Sequence, residues 1–275
     1  MEYKHFLITR LNVFYKKKMP QYGYDPEEWL IGRIKIFKDY CFPSVANQST
    51  KNFQWIFYID SETPEEIRID LESLFNPYPN FHLISHKFLD FAIFRFLEED
   101  IFNIAERNFD YLITTRLDTD DMLHIKFLQE IQSQFKGSDY LPINFNNGYV
   151  YDIFSGVTAK VSHKFNPFMS LISKVEDGIP VKTIFHRMHH EFQNDPQVNK
   201  INTQVPMWCM TINEYNYSTG FFGKVLLKRD ERFAVFFSIK EVINPSFLSV
   251  ISARVNYYLR VFKKIKSRLY RVVYK

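Results

Sequence analysis

Residues 111–123, YLITTRLDTDDML, set three aspartates, Asp118, Asp120 and Asp121, within four positions directly after an apolar run that reads as a buried strand. Carboxylates so placed repel one another, and apolar surroundings raise the cost unless a cation or a helix N-terminus compensates them. Two compensations are open. Leu123, Phe127 and Ile131 recur every four positions, so the spacing predicts a helix from about Leu123 to Phe135 whose first turn holds Asp120 and Asp121. Capping needs one aspartate, however, and three are present. The second compensation is a hard divalent cation, Mg²⁺ or Mn²⁺, held by one or two carboxylates while its other positions go to substrate phosphates. Arg116, just upstream, suits bidentate phosphate contact. An EF-hand loop is excluded, because its DxDxDG spacing and its glutamate at position twelve are both missing.

Outward from this stretch the chain alternates strand and helix signals. KHFLITRLNV is β-rich, and YDPEEWLIGRIKIFKDYCFP follows with Asp25 as N-cap, Pro26 in the first turn, Glu28 in capping-box position and Pro43 as a stop. NFQWIFYID reads as a second strand, and TPEEIRIDLESLF as a helix capped by Thr63 and Glu66. NFHLIS is a third strand, Phe91 to Arg107 a third helix, and YLITTR a fourth strand. This order predicts an α/β fold with a Rossmann-type sheet, helices on both faces and ligands at the carboxyl ends of the strands.

The 275 residues, 46% hydrophobic and 18% aromatic, exclude a disordered chain. Cys41 and Cys209 make neither a disulfide framework nor a zinc site, which suits a reducing compartment. No apolar run suggests a secretion signal or a membrane span. Charge is divided unevenly: residues 246–275 hold eight Lys or Arg and no acid, leaving 27 basic against 31 acidic residues before them. In that tail Ile251, Val255, Leu259, Phe262, Ile265, Leu269 and Val272 recur every three or four positions, with Arg260, Lys263, Lys264 and Arg271 largely on other faces. A basic amphipathic helix follows, separable from a domain spanning 1–245. It suits an anionic bilayer surface, packing on the domain, or a dimer contact. Nucleic acid is the minor reading, because the body is acidic.

The segments FLITRLNV, EEWLIGRIKIFKDYCFPSVANQST, NFQWIFYIDSETP, LITTRLDTDDML, NPFMSLI and VPMWCMTINEYNYS resemble the putative rhamnosyltransferase family of bacterial glycosyltransferases over roughly residues 5–220. That family is similar to the GT-A type, whose DxD motif anchors a metal bound to the diphosphate of a nucleotide-sugar. The resemblance implies Asp118, Asp120 and Asp121 as that motif, with Asp120 first for metal contact. Thr9, Arg10 and Asp60, at the ends of the first two strands, would surround base and ribose. Glu176 or Asp177 would be the general base that helps an acceptor hydroxyl attack. One of His186, His189 and His190, with His189 preferred, would complete the metal site. Trp208 is open between a sugar platform and core, and Asn216 between a ligand contact and a turn. The implied partners are a nucleotide-sugar donor and a glycan or lipid-linked glycan acceptor, at the inner face of the cytoplasmic membrane. A phosphohydrolase or nuclease built on the same aspartates, and a membrane- or nucleic-acid-binding module without catalysis, are the competing classes.

Overall fold

The structure, a computed structural model, describes residues 1–90, 93–106, 108–216 and 219–273, the side chains of 94 and 263–273 excepted. Strands β1 (Tyr3–Arg10), β2 (Gln54–Asp60), β3 (Phe81–His86) and β4 (Tyr111–Asp118) run parallel. Helices α1 (Tyr15–Lys18), α2 (Pro26–Ile36), α3 (Phe42–Ala46), α4 (Glu65–Phe75) and α5 (Phe94–Ala105) lie between them. The termini predicted for the third helix, Phe91 and Arg107, lie outside the described residues. Then follow β5 (Met122–Leu123), α6 (Phe127–Gln132), β6 (Tyr140–Phe145), β7 (Asn147–Asp152), β8 (Thr158–Ser162), β9 (Ser170–Lys174), β10 (Asn199–Ile201), β11 (Trp208–Ile212), β12 (Lys224–Val225), α7 (Phe233–Phe237) and α8 (Phe247–Val273).

Among the described residues the strands form a sheet ordered β10-β6-β9-β4-β1-β2-β3 and a second ordered β12-β8-β7-β11-β5. Strand β9 runs antiparallel between β4 and β6, so the first sheet is mixed. Its central strands are apolar on both sides, as helix-covered parallel strands require. Leu7, Trp55, Phe57 and Ile113 pack under α2, α3, α4 and α6, while Phe6, Ile8, Ile56 and Leu112 pack under α5. The predicted α/β class, with helices on both faces, is what the chain adopts.

Local signals divide. Asp25 caps α2, its carboxylate accepting from the Glu27 and Glu28 amides at 3.0 and 2.9 Å. Pro43 does not stop that helix: residues Phe37–Cys41 form a π-turn, and α3 continues from Phe42 with the proline near its start, where a missing N–H costs nothing. Thr63 and Glu66 do not cap α4, because the Thr63 hydroxyl donates to the Asp60 carbonyl and Pro64 occupies the cap position.

The largest departure follows Asp121. No helix starts at Leu123; Met122 and Leu123 instead pair antiparallel with Cys209 and Trp208, and α6 begins only at Phe127. Side chains of α3 and its end hold this strand: the Leu123 amide donates to Ser44 Oγ, and Gln48 bonds the His124 carbonyl and the Leu128 amide. No helix dipole therefore compensates Asp120 and Asp121.

The tail is helical from Phe247, with Ser246 accepting from the Ser249 amide at its start. Val250, Ala253 and Tyr257 pack on Val157, Val225 and Phe221. Leu248, Ile251, Val255, Leu259 and Phe262 remain exposed. The side chains of Lys263, Lys264, Ile265, Leu269, Arg271 and Val272 lie outside the described residues. Among the described residues no helix is long and apolar enough to cross a membrane.

Candidate active site

Strand β4 ends at Asp118, opposite Arg10 of β1, and the chain turns tightly as the Asp121 amide donates to the Asp118 carbonyl. Asp118 stays half-exposed, whereas Asp120 and Asp121 are buried. What compensates Asp120 is an arginine from α2. Arg33 grips both of its carboxylate oxygens, at 2.5 and 2.7 Å, and also bonds the Thr119 hydroxyl. Asn213 and Asn216 donate to the same carboxylate at 3.1 and 2.7 Å. Three of these bonds fall on Oδ2 and one on Oδ1, so Oδ1 keeps a lone pair. Burial works against the Arg33 charge, yet Asp120, with Asp118 and Asp121 behind it, holds its pKa above the ordinary arginine value.

The expectation that Asp120 is the first metal ligand meets a carboxylate whose Oδ2 is committed to Arg33, Asn213 and Asn216, while Oδ1 accepts from Arg33 alone. Asp121 is different. One of its oxygens accepts from the Thr211 amide at 3.0 Å, and burial, then repulsion from Asp120 and Asp118, pushes its pKa well above the ordinary carboxylate value. A proton or a cation at this carboxylate would relieve the same strain.

Asp118, Asp120 and Asp121 all line a cleft of about 330 Å³ that also holds His163, His189 and Phe222. Of the three candidate histidines, only His189 lines this cleft. Burial, then Arg116 and His190, lowers its pKa to about 4, against the pull of Asp118, so at neutral pH it is uncharged. His186 is fixed by a 2.6 Å contact with the Thr183 carbonyl and packs on Phe192. His190 stands edge-on to His189. Among the described residues no group of three or more His, Cys, Asp or Glu side chains converges to hold a metal. The donor set fits only an ion that takes most of its coordination from a ligand, as Mg²⁺ and Mn²⁺ do with phosphates.

A second hollow of about 140 Å³ shares Arg33 and Asp118 with the cleft and is otherwise lined by Arg10, Tyr15 and Trp29 among others. Asp60 shapes it indirectly: its carboxylate accepts from the Phe14 and Glu62 amides and holds Phe14 at φ 59°, a left-handed conformation that costs a non-glycine residue energy. The Tyr15 hydroxyl is buried without a hydrogen-bond partner among the described residues, its pKa raised to about 12 by burial and then by Glu27, Asp60 and Glu62.

Two cations stand beside Asp118 without strong partners. Arg10 reaches Asp118 only at 3.9 Å. Arg116 is buried against the Phe185 ring at 4.5 Å, with no ion-pair partner among the described residues and its Nε unbonded. Burial, then Arg10, lowers its pKa to about 10, with Asp118 opposing.

Other expected residues lie elsewhere. Thr9 is buried with its hydroxyl accepting from the Trp55 indole, so it faces the core and not a ligand. Trp208 is fully buried, stacks on Phe168 and donates to the Phe145 carbonyl; a Cβ on Gly148 would fall 2.2 Å from its indole. It is core, not a sugar platform. Glu176 and Asp177 follow β9, whose last residue, Lys174, pairs with Tyr111 at the amino end of β4. Seven residues of strand, roughly 23 Å, separate that end from Asp118. Glu176 is ion-paired with Lys174 at 2.9 Å, so this acidic pair stands at the wrong edge of the sheet to serve as base. Asn216 does reach the cleft, as a ligand of Asp120.

Sequence reasoning missed Arg33, Thr211 and Asn213. Arg33 carried a signal, since it sits four residues after the buried Trp29 and four before the buried Phe37, on an otherwise apolar helix face.

Fold and site define a mixed α/β protein with an acidic cleft at its strand ends, where Asp118, Asp120 and Asp121 stand with the paired Arg33. Residues 17–225 match the family model described as putative rhamnosyl transferase, and the chain belongs to that glycosyltransferase family. Among solved structures it is similar to S. aureus TarS 1-349 in complex with UDP-GlcNAc, at 11% identity and TM-score 0.44, covering 79% of this chain and 61% of that one. The UDP complex of the same fragment gives 11% and 0.41, covering 77% and 61%. A putative nucleotide-diphospho-sugar transferase from Desulfovibrio desulfuricans gives 8% and 0.35, covering 77% and 82%. The chain thus spans about 61% of the TarS fragment's length. No curated protein matches the chain.

Proposed function

We propose that the protein transfers a sugar, rhamnose being the family's label, from a nucleoside-diphosphate donor to a glycan or lipid-linked glycan hydroxyl in cell-envelope polysaccharide synthesis. The observation that carries this is the buried, uncompensated Arg116 beside the weakly paired Arg10, both against Asp118 at the strand ends. Burying a cation without a partner is costly, and an anionic ligand placed there would relieve the cost. A diphosphate between these arginines would direct its nucleoside into the hollow of Arg10, Tyr15 and Trp29 and its sugar into the cleft of His189 and Asn216.

Asp118 and Asp121 are the carboxylates that would meet Mg²⁺ or Mn²⁺, the diphosphate supplying most of the remaining positions, with neutral His189 lining the same cleft. Such an ion neutralises charge developing on the departing diphosphate. Arg33 lines the same cleft and fixes the turn through its bonds to Thr119 and Asp120. The exposed apolar stripe of α8, on a segment with eight basic and no acidic residues, supports the reading that the enzyme works against an anionic membrane surface on the cytoplasmic side.

The test is a thermal-shift screen of nucleoside-diphosphate sugars, rhamnose donors first and UDP-GlcNAc second, with and without Mn²⁺. Donors should raise the midpoint in wild type. Asp118→Asn should abolish the Mn²⁺-dependent part and transfer while melting like wild type without ligand. Release of inorganic phosphate without sugar transfer would move the protein to the hydrolase class.

A further inference from the structure

A cavity of about 480 Å³ lies between α8 and the turn joining β7 to β8, and the donor site does not use it. Pockets of this size commonly hold small ligands. Phe222 lines both this cavity and the acidic cleft, so the two share a wall. We infer that the cavity is the acceptor site and takes a sugar ring of a hydroxyl-bearing glycan, an assignment that rests on the glycosyltransferase reading above.

Its lining fits that class of ligand. Phe221, Phe222 and Tyr257 offer apolar surface for a sugar's C–H face, while Asp152, Ser252 and Asn256 offer hydrogen-bonding groups for its rim. Asp152 is held in a way suited to a hydroxyl. One of its oxygens accepts from the Phe154 and Ser155 amides at 2.9 and 3.1 Å, and the other makes no hydrogen bond among the described residues. The residue is fixed, and half of its carboxylate is free. It also stands beside the donor machinery: Asp152 pairs with Ile212 on β11, flanked by Thr211 and Asn213, which bond Asp120 and Asp121.

The outer wall is built to stay in place. Arg260 of α8 donates to the Phe221 carbonyl at 2.6 Å, and Arg229 bridges the Gly156 and Ile243 carbonyls ahead of the helix. Gly156, at φ +71°, admits this crossing, because a Cβ there would lie 2.2 Å from the Ile243 oxygen. One face of α8 thus lines the cavity while the other exposes Leu248, Ile251 and Val255.

The experiment is saturation-transfer NMR with methyl glycosides of the common hexoses and of rhamnose, in the presence of a nucleoside diphosphate and diamagnetic Mg²⁺. Wild type should transfer saturation to at least one glycoside. Ser252→Trp, which fills the cavity from a solvent-facing helix position, should abolish it. Asn256→Ala should weaken binding about fivefold, the effect of one lost hydrogen bond. Leu248→Ala, on the exposed face of α8, should bind as wild type, and all three variants should keep the nucleotide thermal shift. No glycoside signal from wild type, or an undiminished signal from Ser252→Trp, overturns the acceptor assignment. If wild type shows no nucleotide shift at all, it is the glycosyltransferase reading that fails.

Discussion

Asp120 and Asp118 stand two residues apart on one turn and are alike in sequence, yet their surroundings are opposite. Asp120 is buried under four donors from Arg33, Asn213 and Asn216. Asp118 is half-exposed, faces a cleft, and has Arg10 at the limit of ion pairing with Arg116 nearby. The first region is complete without a ligand; the second is not. A run of acidic residues can therefore combine a structural anchor with a reactive edge, and only the partners distinguish them.

The largest effect should come from breaking the anchor. Arg33→Ala leaves Asp120 buried without its counter-charge, a loss of roughly 3–5 kcal/mol, and the melting midpoint should drop by roughly 6–15 °C. An Arg33→Met, Asp120→Leu double variant should recover much of it. A single variant that melts like wild type would remove Arg33 from the scaffold.

The next test stresses the scaffold without touching the cleft. His5, buried between Thr115 and Gln132, has its pKa lowered to about 3 by burial, and His124 to about 4 by burial and Lys126. Both groups are neutral in the fold, so the unfolded chain binds more protons below pH 6.5. Their contribution is intact above that pH and is lost as pH falls toward 3–4. His5 alone should cost roughly 3 kcal/mol by pH 4. Unfolding midpoints from pH 7 to 4 should fall less steeply in His5→Asn than in wild type.

The open region should answer with the opposite sign. Arg116→Met removes a buried cation that lacks a partner, so the free protein should melt at or above the wild-type temperature. Nucleoside-diphosphate affinity, measured by calorimetry, should nevertheless fall about 10- to 100-fold, as loss of a charged hydrogen bond implies. A variant that loses stability and keeps affinity would make Arg116 a second anchor. The smallest effect belongs to Glu176→Gln and Asp177→Asn, which should leave transfer rates unchanged within about twofold, since surface changes rarely exceed about 0.5 kcal/mol. A large rate loss in either would reinstate the acidic pair as base.

The central strands, the Asp25 cap and the acidic turn at a strand end were legible because each depends on neighbours in sequence. What was illegible depends on distant partners. The periodicity of Leu123, Phe127 and Ile131 is real, but Trp208 and Cys209 claim the first part of that segment for a strand. Arg33 meets Asp120 across 87 positions of chain. Glu176 and Asp177 were misplaced because β9 enters the sheet antiparallel, which sends its end away from the cleft, and strand direction is not written in an apolar run.

The π-turn at Phe37–Cys41 has a consequence for how this site can change. Upstream of it Arg33 grips one side of the acidic turn; downstream of it Ser44 and Gln48 grip the strand that leaves it. The two grips share a single interrupted helix, so their relative phase is set by the one extra residue the turn absorbs. Winding the same residues into a regular α-helix would rotate one grip against the other by about 100°. The irregularity acts as a timing mark between the two halves of a clamp.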